Sequence, residues 1–95
     1  MNNVQLSEMS KKNLTVKKHR GQYQVIVHND NHNTFDHVSN CLIEICGQNY
    51  YQAVQCALII HNSQRCSVYT DSYDDCADVA KELRANGLKT SLEKC

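Results

Sequence analysis

Between Tyr23 and Cys95 the spacing of apolar residues switches repeatedly between every second position and every third or fourth, and no proline interrupts the stretch. That alternation admits only a mixed helix and strand domain. "YQVIVHN" is rich in β-branched residues and predicts a strand over about Tyr23 to His28. Thr34 is placed to cap a helix that carries Phe35, Val38, Cys41, Leu42, Ile45 and Cys46 at helical steps, with Gly47 to end it. A second helix follows Asn49, with Ala53, Val54, Ala57, Leu58 and Ile60 apolar and His61 in its last turn. "CSVYT" is a second strand. Ser72 then opens a third helix, where Asp74 and Asp75 suit the positive end of the helix dipole, Val79, Ala80 and Leu83 form the stripe, and Gly87 closes it. "LKTSLEK" alternates and makes the last strand. The order βααβαβ predicts an α+β domain: a three-stranded antiparallel sheet with three helices packed on one face.

The remainder of the chain is different in kind. Residues 1 to 20 hold five bases (Lys11, Lys12, Lys17, Lys18, Arg20) against Glu8, whereas the rest holds five bases and nine acids. The opening stretch has no aromatic residue and no apolar period. It therefore reads as a mobile basic extension over residues 1–21, followed by a single domain over 22–95. A nucleic-acid or membrane-surface role and a solubilising role are both open for such an extension. No stretch of the chain approaches the roughly 18 apolar residues of a membrane span, and the N-terminus lacks the apolar core of a signal peptide. A cytoplasmic protein is the expectation, with neither membrane nor nucleic acid as partner of the folded part.

Six cysteines raise the question of disulfides or zinc. They include no C-x-x-C pair, and Cys41, Cys46 and Cys76 fall among apolar helix positions, where a thiol acts as a small hydrophobe. Reduced structural thiols are expected. His28, His32 and His37 form at most an irregular metal set with no cysteine at ligand spacing, so no metal and no cofactor is predicted. Nucleophile elbows, phosphate loops and H-E-x-x-H are all absent from the sequence. An enzyme is not expected.

The segment "HNDNHNT" after the first strand is the unusual one. Singly, Asn29 and Asp30 are turn formers and His61 is a helix-terminal histidine. Together a carboxylate, an amide carbonyl and a neutral imidazole nitrogen are all hydrogen-bond acceptors without permanent positive charge. Acceptors gathered at one corner suit an ammonium group, and Phe35, Val38, Ala57 and Ile60 suit an apolar group attached to it.

From Tyr23 to Cys95 the chain resembles the ClpS family, adaptors that deliver N-degron substrates to the Clp AAA+ protease. The residues that carry the likeness are "YQVIVHND", "QAVQCALIIH" ending in histidine, "VYT" and the terminal "SLEK". The C-terminal domain of the ribosomal stalk protein has a similar outline without the Asn-Asp and His set. The resemblance implies the same βααβαβ fold and a mobile N-terminal extension that engages the chaperone. It also implies that Asn29, Asp30 and His61 bind the α-ammonium group of a substrate's first residue. The first side chain would enter a pocket of Phe35, Val38, Ala57, Ile60 and Leu88, with Asn33 at its rim. The implied partners are a Clp chaperone of ClpA or ClpC type and proteins beginning with Leu, Phe, Tyr or Trp, in a bacterial cytoplasm or, as the alternative, a plastid stroma.

The departures from the family pattern are local. Asn31 replaces a second acid, Thr34 a common proline, and Phe35 a common methionine. Ala57 stands where a methionine usually narrows the pocket, which extends the expected substrates to N-terminal Ile and Val. The connection after His61 is two residues shorter than usual. The alternative function is a regulator that docks on the chaperone without binding N-degrons.

Overall fold

The computed structural model describes residues 20–95; residues 1–19, which make up nearly all of the predicted extension, lie outside the described residues. The strands are β1 (Tyr23–His28), β2 (Arg65–Asp71) and β3 (Lys89–Lys94), and the helices are α1 (Phe35–Glu44), α2 (Tyr50–Ser63) and α3 (Tyr73–Ala85). Their order is the βααβαβ expected from the apolar spacing.

β1 lies between β2 and β3 and is antiparallel to both. Its consecutive Val25, Ile26 and Val27 are all buried, as befits a strand covered on both faces. Val25 and Val27 face the helices and join Leu42, Ala53, Ile60, Cys76, Ala80 and Leu83 in one core. Ile26 faces the other side. There the Arg65–Glu93 ion pair, at 2.7 Å between the two outer strands, spans β1 and helps to shield it. Val25 pairs with Tyr69 but Ile26 with Ser67, so Val68 is the extra residue of a bulge, and it is buried.

Helix ends follow the polar punctuation. The Thr34 hydroxyl accepts from His37 N at 3.0 Å, and the Ser72 hydroxyl from Asp75 N at 3.3 Å. Asn49 and Gln52 form a reciprocal capping box, with bonds of 2.8 and 3.0 Å. α1 stops at Glu44, earlier than the glycine that was expected to end it. Gly47 still takes the left-handed turn, at φ 74°, and lets Gln48 N reach back to Leu42 O.

α1 packs on α2, α2 on β2, and α3 beneath all three strands. This arrangement brings the β1–α1 connection against the C-terminal end of α2 and the α3–β3 turn. Asn29 N donates to Gln64 O at 2.8 Å, Asn33 Nδ2 to Gly87 O at 2.9 Å, and His37 Nε2 bonds Asn86 O at 2.8 Å. Three segments distant in sequence therefore meet at one corner.

Cys41 and Cys76 are buried in the core, and burial pushes both thiols up. Cys46 lies just beyond α1 and is half-buried; burial, with neighbouring Cys56, pushes its thiol up to about 12. Among the described residues no three His, Cys, Asp or Glu side chains are grouped to hold a metal ion. No described helix is long and apolar enough to cross a membrane.

Candidate functional site

The corner encloses a cavity of about 220 Å³. Its polar rim comes from the β1–α1 connection, with Asn29, Asp30, Asn31, Asn33 and Thr34, and from His61 in the last turn of α2. Its apolar wall is Phe35 and Val38 of α1 and Ala57 and Ile60 of α2. No lysine or arginine is among these lining residues.

Spacing explains why α2 contributes these three side chains. Ala57, Ile60 and His61 are three and four residues apart, so they share one face of the helix. Ala57 and Ile60 are nearly sealed against the core at 4 % exposure each, and His61 is exposed at the rim. α1 supplies Phe35 and Val38 by the same three-residue step.

Asp30 is the most constrained polar group at the rim. Its Oδ1 accepts from His32 N at 2.9 Å and Asn33 N at 3.0 Å, and its Oδ2 from Asn33 Nδ2 at 2.9 Å. Burial by itself would raise the Asp30 carboxyl, but these three donors outweigh it and hold the group below its ordinary 3.8. Asp30 is thus an ionised carboxylate whose oxygens already organise the loop. Asn29 is tied through its main chain to Gln64 O and through its Nδ2 to Gln64 Oε1 at 3.4 Å. Its side-chain carbonyl oxygen is what it has left to offer.

Of the residues singled out from sequence, Asn29, Asp30, Asn33, Phe35, Val38, Ala57, Ile60 and His61 all line this cavity. Leu88 does not; it is buried in the core cluster at 3 % exposure. Asn31 and Thr34 also line the cavity, which their residue types alone do not signal. Thr34 fills its role as helix cap as well.

The described residues thus form a negative, acceptor-rich rim around an apolar hole. The chain matches the family model described as ATP-dependent Clp protease adaptor protein ClpS over residues 18–91. It belongs to the ClpS family and is an adaptor of the Clp protease. Among solved structures it is similar to ClpS2 of Agrobacterium tumefaciens bound to L-phenylalaninamide, with a TM-score of 0.70 and 19 % identity. That likeness covers 76 % of this chain and 94 % of the other, and at this identity it shows the shared fold. No curated protein matches the chain significantly.

Proposed function

We propose that this adaptor binds the free N-terminal residue of substrate proteins and hands them to a Clp AAA+ chaperone of ClpA or ClpC type. The observation that carries the proposal is the placing of Asn29, Asp30 and His61 at the mouth of a hole walled by Val38, Ala57 and Ile60. A first residue differs from every internal one by its ammonium group, with positive charge and additional N–H donors. A rim of acceptors matches that group, and the apolar wall matches a large side chain beside it. The cavity is smaller than the roughly 300 Å³ at which pockets for drug-sized ligands begin, so it suits one side chain. Asn33, Asn31 and Thr34 complete the rim; Leu88 backs the core rather than meeting the ligand.

The roles of the three acceptors differ. Asp30 contributes its charge and the acceptor site left on Oδ2, which takes only one bond within the loop. The Asn29 carbonyl and a ring nitrogen of His61 supply direct hydrogen bonds. A bound ligand that covers these rim acceptors without pairing them costs about 1 to 3 kcal/mol for each, which is the source of selectivity. The phenylalaninamide bound to ClpS2 of A. tumefaciens has the same three parts: a free ammonium, an apolar side chain, and an amide where the next residue would begin. That supports the reading of this rim.

The test is a titration with short peptides that differ only at their first residue, each free and N-acetylated. Binding of free Leu, Phe, Tyr and Trp peptides, lost on acetylation, is expected. Equal binding of both forms would refute the assignment, and chaperone binding without any peptide binding would establish the docking regulator instead.

A further inference from the structure

Gln64 is the single non-glycine residue with positive φ among the described residues, at 79°. It ends α2 in the left-handed conformation, with its N–H donating to Ile60 O at 2.9 Å. Glycine is the usual occupant of such a position, because any Cβ there crowds the following carbonyl. Asparagine is the other common choice. Glutamine has no such local advantage, so the strain points to work done by its side chain.

Both oxygens of Gln64 accept from Asn29. The backbone oxygen takes Asn29 N at 2.8 Å, a bond that any residue type can make. Oε1 takes Asn29 Nδ2 at 3.4 Å, and this one needs a side-chain carbonyl at position 64. The distinction matters because a terminal amide torsion is nearly two-fold, so Asn29 can present either its NH₂ or its carbonyl at similar cost. Only the carbonyl is attractive to an ammonium group. Gln64 presents Oε1 to Asn29, so the Asn29 NH₂ turns towards it and Oδ1 is left for the cavity that Asn29 lines. The Gln64 amide is two-fold as well, so a glutamate, which can only accept, would fix this arrangement more firmly.

We infer that Gln64 is a positioning residue for ammonium capture: it holds the Asn29 amide carbonyl-inward, and the strained end of α2 is retained to place it there. The inference rests on the proposed ammonium site. It also explains why the short connection after His61 belongs to the site. One helix end carries His61, which meets the ligand, and three residues later the group that orients the second acceptor.

The experiment is a double-mutant cycle on the full-length protein, read by anisotropy with a C-terminally labelled peptide beginning with leucine. Gln64→Gly relieves the left-handed strain and should raise the thermal midpoint while weakening binding about threefold, the worth of one modest hydrogen bond. A merely structural residue would not move stability and affinity in opposite directions. Gln64→Glu keeps an acceptor oxygen and should bind at least as well as the parent. In an Asn29→Ala background Gln64→Gly should leave affinity unchanged, because no amide remains to be oriented. If the parent binds free and acetylated peptides alike, the ammonium site falls and this inference with it. If the parent discriminates but Gln64→Gly binds as the parent does, or weakens binding equally without Asn29, the orienting role alone is overturned.

Discussion

Filling the space beside Ala57 tests what sets the first-residue preference. Ala57 precedes His61 by one helical turn on the same face, which places their Cβ atoms about 5–6 Å apart. A ligand whose ammonium meets His61 therefore has its own Cβ close to Ala57. Ala57→Met adds three heavy atoms there. At about 30 Å³ each, the share of a water in the liquid, they take on the order of 90 Å³ of the cavity. The flexible thioether can lean away from an unbranched leucine stem but not from a methyl on the ligand's Cβ, which rotation cannot withdraw. One methylene of fit is worth about 1 to 3 kcal/mol, so Ile and Val peptides should lose on the order of tenfold or more while Leu peptides lose less. Phe35 is the competing determinant. It lines the same cavity from the α1 wall and is 41 % exposed. Anisotropy titrations of Leu, Ile, Val and Phe peptides against the parent and Ala57→Met decide the matter. Equal losses across the set, or a parent that does not bind Ile, would show that Phe35 governs entry.

Other consequences can be measured directly. Asp30 has a depressed folded pKa, so its contribution to stability is present above the ordinary carboxylate value and is lost as pH falls through the folded one. The difference in thermal midpoint between the parent and Asp30→Asn should be constant from neutrality to about pH 5 and should shrink below 3.8. Asn33→Ala removes the donor that joins Asp30 to Gly87 O, and a loss of about 1–2 kcal/mol is expected in urea unfolding. With burial pushing Cys46 and Cys66 up to about 12, the exposed Cys95 should be alkylated well before them at neutral pH, as followed by peptide mass mapping. Removing residues 1–20 should leave peptide affinity unchanged and impair delivery to the protease; unimpaired degradation at matched occupancy would exclude a role of the extension in delivery.

The parts of this fold that were legible in the sequence are those fixed by near neighbours. Thr34, Asn49 and Ser72 cap helices by accepting from a main-chain N–H three residues on, a relation that sequence order displays. The buried run of β1 is likewise local, and it marks the central strand. The two misplaced details depend on distant packing. Leu88 precedes a strand whose register against β1 turns it into the core, and beyond the end of α1 the Gln48 side chain donates to Val68 O at 3.0 Å, twenty residues away. The cavity occupies an intermediate position. Asn29, Asp30 and His61 stood out as acceptors, but their nearness depends on the bond from Asn29 N to Gln64 O across 35 residues. Nothing in the letters "HNSQR" announces a left-handed glutamine, because glutamine has no preference for that conformation. Its role becomes visible only when the amide it faces is in place. The same holds for Asn33, whose one NH₂ group serves both the Asp30 carboxylate and Gly87 O. The acceptors of this site can be found by residue type, whereas the residues that aim them are found by the partners they touch.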